Sequence, residues 1–338
     1  MTELLKRLAP QLMALAALVA VVTAFYPGFL DIQMNDGRLV GPVIDVLKRA
    51  APVALLAVGM TLVIATRGID LSVGTIMAIC GAVAASAVAS GWGLPAALLL
   101  ALGAGALAGL WNGTLVAVVG IQPFVATLIL MTMGRGVAQL ITEGRILTFT
   151  DPGFGWIGSG VVLGLPVPTW IWIATAIAAA ALMRRTALGL LVEAIGVNRR
   201  ASTLAGVNAT VLLIAVYVAS GLCAALAGLI VTADIRGADA NNAGLWLELD
   251  AILAVVIGGN SLLGGRFSIA ASIIGALIIT TISIGIRLIG FPSEYNLIIK
   301  AGLVLVILVL QSPRISAEWR LWRDSHRASR DATLRRQA

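Results

Sequence analysis

Ten apolar runs follow one another along the chain, at residues 9–29, 43–66, 70–90, 94–118, 122–142, 167–184, 209–233, 248–263, 267–289 and 293–312. A bilayer core about 30 Å thick is crossed by about 20 apolar residues, because a helix rises about 1.5 Å per residue. Lipid offers the backbone no hydrogen bonds, so each run has to satisfy its own N–H and C=O groups, which a helix does. The expected fold is therefore all-α, a polytopic transmembrane helix bundle of about ten spans. The 338 residues are 59% apolar and 12% charged, and the charge is about half the ~25% of soluble domains. One soluble domain of this length cannot hide so much apolar surface. Composition excludes a disordered chain, a disulfide scaffold and an ordinary soluble enzyme.

Lys6 and Arg7 precede the first run, which ends in Phe25-Tyr26-Pro27-Gly28. No small-residue cleavage site is present there, so a retained first helix is expected. Ten spans put both termini on one side. With the termini in the cytoplasm, the inner segments carry 15 basic residues and the outer loops 6, the asymmetry that the positive-inside rule requires. The chain then divides into a membrane domain, residues 1–313, and a basic cytoplasmic tail, residues 314–338, holding seven arginines from Arg314 to Arg336. A net charge of +7 concentrated in such a tail points to membrane lipid rather than to nucleic acid.

Small residues recur at spacing four, in Gly105, Gly109 and Gly113, in Gly74, Ala78 and Ala82, and in Ser220, Ala224 and Gly228. Close packing of helices is their simplest use, and lining a channel is the other.

No Asp or Glu stands in the middle of a run, which argues against an ion-coupled carrier. The one histidine, His326, is in the tail, and Cys80 and Cys223 lie inside apolar runs. No metal, cofactor or nucleophile–base pair is expected from these residues. The lysines, Lys6, Lys48 and Lys300, do not follow a glycine, so there is no phosphate-binding loop of the ATPase type. If ATP drives this protein, another chain hydrolyses it. Two basic residues fall inside runs, Arg135 between Gly134 and Gly136, and Lys300. Each lies about 10 Å below the outer boundary. Either can snorkel, and the flanking glycines also let a helix or a solute approach Arg135 closely.

Four segments carry polar chemistry. In Gly68–Gly74, Asp70 stands where a helix begins and can cap it, with Arg67 within reach, or can meet a cytoplasmic partner. The inner loop 185–208 contains an amphipathic stretch, Leu188–Leu204, ended by Gly206, which is either an inert loop or a docking element. The outer loop 234–248 offers amides, carboxylates and an indole, groups that suit a polyhydroxylated solute or a docked protein. Gly258, Gly259, Gly264 and Gly265 indicate a tight turn or a re-entrant segment.

Four stretches occur in order: Ala57–Thr66 running into Gly68-Ile69-Asp70-Leu71-Ser72-Val73-Gly74; Gln122-Pro123-Phe124-Val125-Ala126-Thr127-Leu128 with Arg135-Gly136; Glu193-Ala194-Ile195-Gly196 to Ala205-Gly206-Val207-Asn208; and Asn242-Ala243-Gly244 with Glu248-Leu249-Asp250-Ala251-Ile252 into Gly258-Gly259. Together, over about residues 40–312, they resemble the permease subunits of bacterial ABC sugar importers of the ribose/arabinose/galactoside type. Asp234–Trp246 and Gly109-Leu110-Trp111-Asn112-Gly113 are similar to the galactofuranose-importing branch of that family. The resemblance implies a multi-pass protein of the bacterial inner membrane that moves a monosaccharide by alternating access. It implies three partners: an ATP-binding cassette subunit, a second homologous permease and a periplasmic sugar-binding protein. It assigns coupling to the ATPase to Glu193, Ala194, Gly196, Asn198, Arg199, Ala205 and Gly206. The sugar path or gate falls to Arg135, Asn112, Thr127, Asp239, Asn241, Asn242, Trp246 and Glu248. Structural turns fall to Asp70, Gly74, Gly258, Gly259, Gly264 and Gly265. The competing expectations are an ion-coupled secondary sugar carrier and a membrane scaffold without a solute path.

Overall fold

The computed structural model describes residues 2–292 and 295–311; the basic tail 314–338, His326 and the end of the tenth run lie outside the described residues. The chain forms two compact units, Met1–Ile289 and Gly290–Ala338. The second contributes one described helix, Tyr295–Gln311, which is α12 in chain order. The first holds α1 (Thr2–Phe25), α2 (Pro42–Ala65), α3 (Val73–Ala89), α4 (Leu94–Thr114), α5 (Pro123–Ile141), α6 (Pro152–Ser159), α7 (Val167–Arg185), α8 (Leu188–Leu204), α9 (Ala209–Ile235), α10 (Leu247–Ile257) and α11 (Ile269–Leu288). Short antiparallel strand pairs brace the loops, such as Leu147–Thr148 with Gly237–Ala238.

Local sequence sets the helix starts. Proline occupies the first turn of α2, α4, α5, α6 and α7, where its missing N–H costs nothing. Side chains cap others: Asn208 accepts from the Val211 N–H at 3.1 Å and Ser268 from Ala271 at 3.3 Å.

The core is built around α9, which α2, α3 and α4 surround. The glycine stripe of α4 lies against it. A Cβ at Gly109 would sit 2.7 Å from the Val218 Cα, and one at Gly113 would sit 2.8 Å from the Ile214 Cα. The pairing Gly105–Gly221, Gly109–Val218, Gly113–Ile214 makes α4 antiparallel to α9. Met77 faces Gly228 and Gly81 faces Thr232, so α3 runs parallel to α9. Such backbone proximity is what holds helices together where lipid supplies no hydrophobic drive.

Among the described residues, seven helices are long and apolar enough to cross a membrane: α1 from Leu8, α2, α4 with its extension to Val119, α5, α7, α9 and α11. Two of the remaining runs are shorter as helices, and the last, 293–312, is described only over α12. α3 has 17 residues, α12 has 17, and α10 only 11, about 16 Å at the helical rise. The run 248–263 is cut at one end by Gly258 and Gly259, the latter at φ +83°, and at the other by Trp246 at φ +67°. Between Ile235 and Trp246 the chain turns back into the bundle: the Gly244 backbone rests on that of Gly74. By the α3–α9 pairing, Gly74 lies about 15 Å inward from the Ile235 end of α9. The half-length α10 therefore starts at mid-depth.

Candidate translocation pathway and coupling face

The re-entrant loop is held by α5. Arg135 Nη1 donates to the carbonyls of Ala240 at 2.9 Å and Ala243 at 2.7 Å, and Gln139 Nε2 donates to Asn241 Oδ1 at 2.7 Å. Arg135 is thus a clamp on the loop. Within the loop, Asp239 accepts from the Asn242 side-chain amide at 2.8 Å and from the N–H groups of Asn241 and Asn242 at 3.0 and 3.1 Å. These donors, the Asn242 amide foremost, hold the Asp239 carboxyl below the usual carboxylate range. A depressed pKa gives stability that is present above the ordinary value of about 3.9 and lost as pH falls through the folded-state value. Hydrogen exchange of the Asn241 and Asn242 amides is expected to stay slow near neutrality and accelerate only in strong acid. Asn242→Ala is expected to move that acceleration to higher pH, and an unmoved profile would show that Asp239 does not order the loop. Trp246 is 53% exposed and Glu248 4%, the latter beside Gly74. Asp239, Asn241, Asn242, Trp246 and Glu248 therefore belong to one segment, but Glu248 faces the interior while Trp246 faces outward.

The Gly68–Gly74 turn carries a buried carboxylate. Asp70 is 0% exposed. Its Oδ1 accepts from Ser72 Oγ at 2.6 Å and Ser72 N at 3.0 Å, and its Oδ2 from Ser220 Oγ at 2.9 Å. Asn112 Nδ2 donates to Ser72 Oγ at 2.8 Å, extending the network to α4. Thr127 on α5 accepts from Leu71 N at 3.2 Å and donates to Ile69 O at 3.1 Å. Asp70, Asn112 and Thr127 thus converge on one turn joining α3, α4, α5 and α9. The cap expected of Asp70 is not made on the first turn of α3: its carboxylate holds the Ser72 N–H, one residue before the helix, and α3 has no side-chain cap. The expected pairing of Asp70 with Arg67 is not made either: the arginine side chain points to carbonyls on other segments. No acid stands in the middle of an apolar run, yet Asp70 and Glu248, at the edges of two runs, are both buried. Each edge lies inside the bundle because the chain re-enters there.

Arg67 joins three segments. Its Nε donates to Leu263 O and its Nη2 to Val197 O, both at 2.8 Å. Its backbone is left-handed, at φ +65°. Beside it, Gly265 N donates to Ala65 O at 2.9 Å, and the Gly196 backbone packs on Ala65 O and Gly265 N. Gly264 and Gly265, at φ +76° and +90°, let the turn after α10 pass this point. Asn260 closes that turn, accepting from Ser268 N at 2.6 Å and donating to Ser272 Oγ at 2.9 Å. The glycines at 258–265 thus form a tight turn.

α8 is broken at Asn198, whose φ and ψ are −158° and 99°. Its Oδ1 accepts from Ala201 N at 3.0 Å and restarts the helix. The first half, with Glu193, Ala194 and Gly196, lies on the end of α2. The second half is tied to the π-helical turn Leu115–Val119 by Arg199 Nη2 donating to Ala117 O at 3.1 Å. Ala205 ends α8, and Gly206 follows at φ +89°. The residues that sequence reasoning grouped for coupling lie on α8 or just after it, on both sides of the break at Asn198. Sequence reasoning missed Arg67 as their anchor, Ser72 and Ser220 as donors to Asp70, and Gln139 as a second clamp. Only Ser220 carried a signal, as part of a small-residue stripe.

The family model described as "Branched-chain amino acid transport system / permease component" matches residues 43–308. The galactofuranose transporter permease protein YtfT of Escherichia coli K12 is 60% identical over 90% of this chain and 89% of its own length. The fructose import permease protein FruF of Bifidobacterium longum is 42% identical over 90% of this chain and 87% of its own. The ribose import permease protein RbsC of Escherichia coli K12 is 40% identical over 90% and 93%. No solved structure matches. With the match running from the start of α2 into α12, the chain belongs to this family of transport-system permease components.

Proposed function

We propose that the chain is the membrane permease of an ATP-driven importer that carries a monosaccharide, galactofuranose, across the bacterial inner membrane. The cargo rests on the 60% identity to a galactofuranose permease along 90% of the chain. The drive rests on one observation: α8 is locked through Gly196 and Arg67 onto the end of α2, one turn from the buried Asp70 network. A push on α8 reaches that network directly. An ATP-binding cassette subunit docked on Glu193, Ala194, Gly196, Asn198, Arg199, Ala205 and Gly206 supplies the push.

Ten crossings with both termini in the cytoplasm remain part of this proposal, and the alternating helix directions within the first unit fit them. α3, α5 and α9 run one way and α4 the other, and the re-entrant loop followed by α10 returns the chain to the Ala209 end of α9. The exposed apolar side chains Val125, Leu128, Ile129 and Leu140 of α5 suit a second, homologous permease. Trp246, Asn241 and Asn242 then border a sugar path between the two, opposite a periplasmic sugar-binding protein. A change of state is driven only as far as ATP and sugar bind the two states differently.

The test is reconstitution of both permeases with the ATPase and the binding protein in vesicles. Uptake of galactofuranose is expected to require ATP and to ignore proton and sodium gradients. Accumulation by this chain alone on an ion gradient would establish a secondary carrier instead.

A further inference from the structure

Two separate cavities of different chemistry lie along α1 and α11. At the Ser268 end is a cavity of about 220 Å³ lined by Gln11, Arg184, Arg266 and Ser268. A neighbouring cavity of about 480 Å³ shares Arg184 and Ser268 and adds Glu193. Farther along, between Leu15 and Val19 of α1 and Leu277 and Thr281 of α11, lies an almost wholly apolar cavity of about 220 Å³. Leu8, Gln11, Leu15 and Val19 are spaced to lie on one face of α1, so that face borders both the polar and the apolar cavities.

Three features of the polar cavity describe its ligand. Arg184 and Arg266 are exposed and form no ion pair among the described residues. Gln11 is 8% exposed; its Nε2 donates to Gly258 O at 2.9 Å, while its Oε1 has no hydrogen-bond partner among the described residues. A buried acceptor left without a donor is unfavourable. The ligand therefore carries an anion for two guanidinium groups and a donor for one carbonyl. The apolar cavity adds a hydrocarbon tail. Leu8 to Val19 spans about 16 Å, close to the ~15 Å depth of one leaflet core.

We propose that these two cavities together bind one anionic phospholipid of the phosphatidylglycerol kind. Its phosphodiester lies between Arg184 and Arg266, a headgroup hydroxyl donates to Gln11 Oε1, and an acyl chain enters the Leu15–Val19 cavity. The inference rests on the membrane topology proposed above, which puts Arg184 and Ser268 at the cytoplasmic surface. Because Glu193 of the coupling helix lines the adjoining cavity, the lipid sits beside the ATPase docking face.

The complete importer, purified from its native membrane, is the material for the test. Native mass spectrometry is expected to show phosphatidylglycerol retained on this chain. Arg184→Gln with Arg266→Gln is expected to lower retention about tenfold. Val19→Phe, which fills the apolar cavity and leaves every charge in place, is expected to lower it as well. Nanodiscs containing phosphatidylglycerol are expected to raise the melting temperature of the native complex over phosphatidylcholine alone, and to raise that of the double variant far less. Unchanged retention in both variants overturns the proposal. Stabilisation by inorganic phosphate equal to that by the lipid reduces the site to an anion site and overturns it too. Loss of the ATPase subunit from the double variant makes this face a protein-docking surface, with the same consequence. A failure of ATP-driven uptake with lipid binding intact strikes only the proposed function.

Discussion

Arg67→Gly is expected to lower ATP-driven uptake about tenfold or more while the importer stays assembled and its melting temperature barely moves. The argument is a balance of two local terms. Arg67 sits at φ +65°, where an L-residue other than glycine is strained by roughly 1–2 kcal/mol. Its two bonds to Leu263 O and Val197 O come from an exposed side chain, so each contributes only about 1 kcal/mol net. Glycine relieves the strain and removes the bonds, and stability is nearly conserved. What does not survive is the tie between α8, the turn after α10 and the end of α2. Coupling energies between sites are typically about 1–3 kcal/mol, or roughly 5–150-fold. Arg67→Lys is expected to fall between, because one ammonium cannot reach both carbonyls with the geometry of a guanidinium. Uptake, ATPase rate in the presence of loaded binding protein, and melting temperature are the three readings. Normal uptake by an intact Arg67→Gly complex would remove this junction from the coupling route.

Gly244→Val is expected to abolish uptake and to expose the loop 237–246 to protease. A Cβ at Gly244 would overlap the Gly74 backbone, at 2.7 Å from its carbonyl carbon and 2.8 Å from its Cα. Neither backbone can yield as a flexible side chain would. The φ of +74° adds strain that a β-branched residue tolerates worst. Overpacking of about 1–3 kcal/mol and roughly 1–2 kcal/mol of backbone strain together exceed what two clamps on the loop can hold. Gly144→Val is the control. Gly144 also has a positive φ, +68°, but no atom within 4 Å of its would-be Cβ. It is expected to retain uptake, which separates the clash at Gly74 from backbone strain alone. Full uptake by Gly244→Val would show that the loop need not seat on α3.

Much of the bundle was legible because lipid leaves the sequence few options. Among the described residues, seven of the apolar runs are helices of crossing length, and the Gly105, Gly109, Gly113 stripe marks the helix face that meets α9. The helix now proposed as the coupling element was legible as an amphipathic segment ended by Gly206. Depth was not legible. Asp234–Trp246 is polar enough to read as an ordinary surface loop, yet it enters the bundle because Arg135 satisfies two of its carbonyls. Carbonyls have no side-chain signature, so neither that clamp nor the reach of Arg67 to Leu263 and Val197 is written in residue types. For the same reason Arg67 looked like the partner of Asp70, the nearest acid in sequence, when the buried carboxylate is in fact served by two serine hydroxyls.

Thr127 and Arg135 stand on one helix, eight residues and about 12 Å apart, and each grips a different segment of the chain: Thr127 the Asp70 turn, Arg135 the re-entrant loop. A stiff rod fastened at both places cannot tilt away from one without pressing on the other. If these two segments are the gates of the proposed path, the shared rod makes their opening mutually exclusive, so that the proposed importer never opens to both sides at once.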